Sequence, residues 1–307
     1  MLDGKADIMY NRKVKIRSGE NNMAKNMMKK TLCMALATVS ACASLVTMTA
    51  CETSHPKVTM TLSFNDKTYE LDYNLNRKLT PSTVKHFLAL VEEGFYNGLC
   101  VHDYQTSNWY TGVYEYKAET SKLVYRPYLE VAKKIDNAGN FWNTVWNKSE
   151  DGEKLYTLYG EFKSNGFEVE NGKVVNGFGA LTMRYTDKGD VADTPTWVKL
   201  SDDSGCTWKD YGYNSATSMF SINVSTTSTT LSDYCTFAEL DEDSVEVLEE
   251  LKKAIADYIG DQSEDENFTV ETEAVINAED VYAHEDEVFF NTPVKPITIK
   301  TMTVEKW

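Results

Sequence analysis

A closed antiparallel β-barrel with helices laid over its open ends is the architecture that this 307-residue sequence implies. Short segments of alternating apolar and polar residues recur along the chain, and only two stretches carry a helical stripe. The first segment, KVTMTLSF, puts Val58, Met60, Leu62 and Phe64 on one side and Thr59, Thr61 and Ser63 on the other. That period of two is a half-buried strand. Asn65-Asp66 supplies a turn into its hairpin partner, KTYELDYNL. Thr80-Pro81 opens a helix, with Thr80 as cap and Pro81 at the first helical position. Val84, Phe87, Leu88 and Val91 form its apolar stripe, and Gly94 stops it. A second helix starts near Asp243, runs through Val247, Leu248, Leu251, Ile255 and Ile259, and ends at Gly260. The closing KPITIKTMTVEKW alternates again, and its phase slips between Ile299 and Met302, which predicts a bulge.

Between the helices lie further strand-like pieces: LCVHDY, LYGEF, FGALTMRY, SMFSINVS and YCTFAEL. Two regions break this rhythm and read as long insertions with aromatic anchors. Residues 115–156 hold Tyr125, Tyr128, Phe141, Trp142 and Trp146; residues 185–212 hold Trp197, Cys206 and Trp208. The acidic run DQSEDENFTVETE reads as a solvated loop, because its carboxylates lack the spacing of a calcium loop.

The first fifty residues read as separate from the fold. Lys29 and Lys30 precede an apolar stretch from Thr31 to Ala50, the order of a secretory signal. Met48-Thr49-Ala50-Cys51 followed by polar ETSHP resembles a bacterial lipoprotein signal, which implies a lipidated Cys51. A plain secretory signal cut near Ala50 is the alternative. Cleavage before Cys42 would leave apolar residues 43–50 exposed. The residues ahead of Met23 look foreign to any signal, which implies a start at Met23. The organisation is then 1–50 as mis-called start plus signal, 51–57 as tether, and 58–307 as the folded domain. That leader carries 8 of the 31 Lys and Arg and 3 of the 47 Asp and Glu. The remainder has 23 basic and 44 acidic residues, a formal charge of −21. Such a surface repels nucleic acid and anionic headgroups. Cys51, Cys100, Cys206 and Cys235 remain without any metal-ligand spacing, so neither a metal nor another cofactor is expected.

The pieces together resemble one family, the cyclophilin-type peptidyl-prolyl cis-trans isomerases. The similar stretches, in the family's order, are STVKHFLALVEEGFYNGLCVH (82–102), LYGEFKSNGF (158–167), GALTM (179–183), NSATSMFSINVS (214–225) and KPITIKTMTV (295–304). The resemblance implies a mainly β fold: a closed eight-stranded antiparallel barrel capped by two helices. It implies rotation of the peptide bond before proline, with proline-containing segments as partners. That rotation faces a barrier of about 18–20 kcal/mol and involves no covalent chemistry. An apolar pocket grips the ring, and a guanidinium favours the twisted amide, whose nitrogen becomes a better acceptor.

In the family that guanidinium belongs to an arginine directly after the strand histidine, His102 here; its place is taken by Asp103. A carboxylate cannot replace arginine's fork of donors. The pattern that follows is YQTSNWYTGV, so the groove positions implied are Asn108, Trp109 and Thr111. In the fourth stretch the usual Gln-Phe-Phe becomes Met219-Phe220-Ser221, and the later groove positions fall on Leu231 and Tyr234. Met183 is retained, and the residue after it, Arg184, stands where the family has a small groove-lining residue. Arg184 is a candidate substitute guanidinium; an ordinary surface arginine paired with local acids is the alternative. His102, Met183, Phe220 and Phe237 are expected as scaffold. His102 and Asp103 do not form a hydrolytic pair, because strand neighbours point to opposite faces. Two functions are therefore carried forward. One is an exported, lipid-anchored isomerase of weak or absent turnover on the outer face of the bacterial cytoplasmic membrane. The other is a non-catalytic peptide binder using the old groove, with Trp109, Tyr110, Trp142 and Trp146 as stacking anchors.

Overall fold

The computed structural model of the protein describes residues 53–138, 154, 156–162, 175–184, 215–229, 231, 234–262, 267–275 and 288–307. The leader 1–50, Cys51, Phe141, Trp142, Trp146 and the segment 185–212 with Trp197, Cys206 and Trp208 lie outside the described residues. The first half of the chain gives β1 (Lys57–Phe64), β2 (Lys67–Leu75), α1 (Pro81–Glu92), β3 (Asp103–Tyr104), β4 (Asn108–Thr111), β5 (Tyr114–Lys117), β6 (Lys122–Tyr125) and α2 (Tyr128–Ala138). The second half gives β7 (Leu158–Tyr159), β8 (Leu181–Met183), β9 (Ser215–Ala216), β10 (Phe220–Asn223), β11 (Cys235–Leu240), α3 (Glu242–Gly260), β12 (Thr269–Val275), β13 (Val288–Pro293) and β14 (Thr298–Lys306).

The alternation in β1 does what period two requires: Val58, Met60, Leu62 and Phe64 are all buried. Asn65 and Asp66 both adopt positive φ, 48° and 62°, the paired left-handed turn whose twist matches a two-residue hairpin. On its other edge β1 pairs Thr61 with Thr301 but Leu62 with Ile299, so Lys300 is the extra residue of a bulge. This is the phase slip seen in the sequence.

The strands assemble into one curled eight-stranded antiparallel sheet in the order β14-β1-β2-β11-β8-β10-β4-β3, a half-barrel. One isolated bridge, Cys100 with Thr298, joins the segment ahead of β3 to β14. There Val101 N donates to Ile297 O at 2.8 Å and Ile299 N to Leu99 O at 2.7 Å. Inside the curl, Phe87 of α1 packs on Phe237 and Phe220 at ring separations of 4.9 and 5.6 Å. Tyr96 closes this cluster against Phe220 at 5.4 Å.

Helix α1 is capped differently from expectation. The Thr80 side chain makes no cap bond; its hydroxyl donates back to Asn76 O at 3.0 Å. The free N–H groups of Ser82 and Thr83 instead donate to the two carboxylate oxygens of buried Glu161, at 3.0 and 2.8 Å. An anion at a helix N-terminus also meets the positive end of its dipole. Helix α3 keeps a local cap, Asp241 accepting from Asp243 N at 3.3 Å.

Part of the first insertion is regular. β5 and β6 form a hairpin in a four-stranded sheet, β13-β12-β6-β5, in which β6 runs parallel to β12. Residues 269–273, the end of the run expected as a solvated loop, are therefore part of strand β12: Thr272 and Ala274 face in while Glu271 and Glu273 face out. Helix α2 adds a third helix to the two expected, its buried stripe being Tyr128, Ala132 and Ile135. Arg126 binds the insertion to the turn after α1, donating to Phe95 O and Asn97 O, each at 2.7 Å, while pairing with Glu115. Among the described residues no helix is long and apolar enough to cross a membrane.

Candidate functional site

The strands β3, β4, β10 and β8 lie side by side, so residues of like phase share a face. Cross-strand pairs align Asp103 with Tyr110, Tyr110 with Ser221, and Ser221 with Thr182. This row, outward in phase, continues to Thr236, whose hydroxyl meets that of Thr182 at 2.9 Å; Thr182, Ser221 and Thr236 are buried, while Asp103, Tyr110 and Arg184 are half-buried. The inward row holds Trp109, Thr111, Phe220, Ile222, Leu181 and Met183, none more than 1% exposed.

The expected site residues divide along these rows. His102 is fully buried, edge-on to Tyr114 at 5.0 Å and Phe290 at 4.9 Å. Burial lowers its pKa to about 3, so the ring is neutral. It is packing, as are Met183 and Phe220. Trp109 and Thr111, expected to line the groove, are corrected: both point into the core, and the Thr111 hydroxyl donates to Cys100 O at 2.8 Å. The residues of β4 on the face of Asp103 are Asn108 and Tyr110, because Gln105 N donates to Asn108 O at 3.0 Å across a turn at 106–107 and so sets Asp103 opposite Tyr110. Ser221 lies in the outward row, its hydroxyl 3.5 Å from Thr182 O. Met219 is buried, and its carbonyl accepts from Arg184 N at 3.0 Å. Leu231 is half-buried beside residues outside the described set.

Four expected or neighbouring residues do meet. The Arg184 guanidinium carbon lies 5.4 Å from the centroid of the Tyr110 ring and 5.7 Å from that of Tyr234. Its Nη1 donates to the Tyr234 hydroxyl at 3.4 Å. Across β4, the Asp103 carboxylate accepts from Gln105 Nε2 at 2.7 Å. Burial pushes the Asp103 carboxyl above its ordinary pKa, against the pull of Gln105, the Asn291 N–H and Arg184. Burial also raises the Tyr110 phenol, with Arg184 pulling it down and Asp103 adding to the rise. The sequence-expected guanidinium thus reaches this face, though held over two tyrosine rings.

The row offers one cation, one half-buried carboxylate, two phenols and a set of hydroxyls and amides. Such groups can donate and accept hydrogen bonds and can face a positive charge. Among the described residues no group of His, Cys, Asp or Glu is arranged to hold a metal ion. A cleft of about 600 Å³ between the β1–β2 hairpin and α3 contains neither Asp103 nor Arg184; its lining alternates lysines with acids.

Comparison with solved structures finds a Cryptosporidium parvum cyclophilin type peptidyl-prolyl cis-trans isomerase at 15% identity, covering 82% of this chain and 99% of that one, with a TM-score of 0.40. The same protein in the presence of the dipeptide Ala-Pro matches at 14% identity with the same coverage and a TM-score of 0.39. Comparison with curated proteins gave no match. The model of the cyclophilin type peptidyl-prolyl cis-trans isomerase/CLD family matches residues 59–277, from β1 through β12 and across the whole outward row. The chain belongs to that family.

Proposed function

We propose that this family member is exported, held by a lipid on Cys51 to the outer face of the bacterial cytoplasmic membrane, and binds proline-containing segments with weak or no isomerase turnover. One observation carries the reading: the outward position directly after the buried strand histidine is a half-buried carboxylate, Asp103. Turning a prolyl amide out of plane makes its nitrogen a hydrogen-bond acceptor, and a donor placed there lowers the barrier by binding the twisted state best. An ionised carboxylate has no proton to give and would repel the developing lone pair. The uncatalysed rotation takes tens to hundreds of seconds, so residual acceleration is easily measured.

A protease-coupled assay with a proline tetrapeptide tests this. The wild-type chain is expected near the background rate, Asp103→Arg above it, and Arg184→Ala unchanged from wild type. A brisk wild-type rate that Arg184→Ala abolishes would overturn the reading and make Arg184 the substitute donor. Export and anchoring are tested separately by fatty-acid labelling in cells, which Cys51→Ser should eliminate.

A further inference from the structure

The side chains around Arg184 make a cation site whose present occupant comes from the chain itself. The guanidinium carbon lies over two tyrosine rings, Tyr110 and Tyr234, at 5.4 and 5.7 Å. Ring quadrupoles hold cations in this arrangement, and guanidinium, being weakly hydrated, suits it. The Tyr110 ring belongs to the residue paired with Asp103, so a half-buried carboxylate stands next to the same space. Among the described residues Arg184 closes no ion pair with that carboxylate, and its side-chain hydrogen bond is the long 3.4 Å contact to the Tyr234 hydroxyl. β10 lies between β8 and β4, so Arg184 and Tyr110 meet above β10, where the paired residue is the small Ser221. The occupant is held by ring faces and one stretched hydrogen bond. It is displaceable.

We infer that this is a recognition site for a cationic side chain of a bound segment, an arginine or lysine beside the proline, and that Arg184 is an internal stand-in which such a residue displaces. The inference rests on the peptide-binding reading above and adds which peptides are chosen. With Arg184 swung out, the site keeps Asp103 and two ring faces, a lining that attracts positive charge and repels carboxylates. The formal charge of −21 on residues 51–307 draws cationic segments from a distance in the same sense.

The test is a fluorescence-anisotropy titration of the full chain with labelled peptides differing only in the residue before proline: arginine, its neutral isostere citrulline, or glutamate. A control peptide has alanine in place of proline. The arginine peptide should bind about fivefold more tightly than the citrulline peptide. Arg184→Ala, which empties the site, should widen that gap to roughly twentyfold, and Asp103→Asn should shrink it to about nothing. Thermal unfolding of both variants shows that they are folded. Equal binding of arginine and citrulline peptides in wild type and Arg184→Ala would overturn the inference while leaving peptide binding intact. So would a preference for glutamate, or weaker arginine binding by Arg184→Ala. Failure of every proline peptide to exceed its alanine control would sink the peptide-binding reading itself.

Discussion

The two faces of β8, β10 and β4 follow opposite rules. The inward face is apolar almost without exception: Leu181, Met183, Phe220, Ile222 and Trp109 are buried together. The outward face of the same residues' neighbours is Thr182, Ser221, Asn223, Tyr110 and Asn108, tied by hydroxyl and amide hydrogen bonds. One residue of strand separates the two chemistries. The inward face keeps the residue types that the family resemblance leads one to expect, His102, Met183, Phe220 and Phe237. The outward face, where a proline would lie, departs from them at Asp103, Arg184 and Ser221. A barrel wall can therefore hold its fold fixed while its site is rewritten, because alternate residues answer to different constraints.

The strongest way to break this comparison is to attack the inward face. Phe220 is fully buried and touches Phe87 and Tyr96 through edge-on ring contacts. Phe220→Ala leaves a ring-sized cavity between α1 and the sheet and should cost about 3–5 kcal/mol in urea unfolding. A loss below about 1 kcal/mol would mean that this face is not a close-packed core.

The next effect is smaller and depends on pH. His102 is fully buried with its pKa lowered to about 3, and His86, near Thr217 O, is lowered by burial to about 4. Both folded values lie below the unfolded value of about 6.5, so the unfolded chain takes up protons first as pH falls. The stability these rings carry is complete above about pH 6.5 and drains as pH drops toward the folded values. His102→Phe keeps a ring between Tyr114 and Phe290 and removes the titration. Relative to wild type, its unfolding free energy should therefore gain about 2–3 kcal/mol between about pH 7 and pH 4.5. Parallel curves for the two proteins would show that His102 is not held neutral inside the fold.

Legibility from sequence follows the same division. The β1–β2 hairpin and the Lys300 bulge were readable because an alternating pattern records its own register, including where it slips. The buried role of His102 was implied by the family resemblance, not by a pattern of its own. The outward row was not legible. Between Tyr104 and Gly112 the sequence YQTSNWYTG offers polar and aromatic residues at both phases, so the turn length alone decides which residues face out. A slip of one residue exchanges the faces. That is how Trp109 and Thr111 were expected on the groove face beside Asn108 and Tyr110, when only the latter two share the face of Asp103. Only a two-residue turn at 106–107, with Gln105 opposite Asn108, places Tyr110 opposite Asp103. The cap of α1 had no such signal, since Glu161 lies 79 residues from Ser82 and only the folded chain brings them together. The strand at 269–275 was hidden by its glutamates, which are outward members of an alternating pattern read as a charge run.

The smallest effect sharpens the comparison most, because it concerns the residue next to Phe220. Ser221 belongs to the outward row, and its hydroxyl makes one long contact of 3.5 Å to Thr182 O. A neutral hydrogen bond at its best is worth about 1 kcal/mol net, and at this length less. Ser221→Ala should therefore lower the urea unfolding free energy by no more than about 0.5 kcal/mol, an order of magnitude below its neighbour. The strand ladder to Tyr110 and Thr182 is main chain and stays intact. If Ser221→Ala instead costs as much as Phe220→Ala, both faces of β10 are core. The buried hydroxyls of Ser221, Thr182 and Thr236 would then be part of the packed core rather than the floor beneath Asp103, Tyr110 and Arg184.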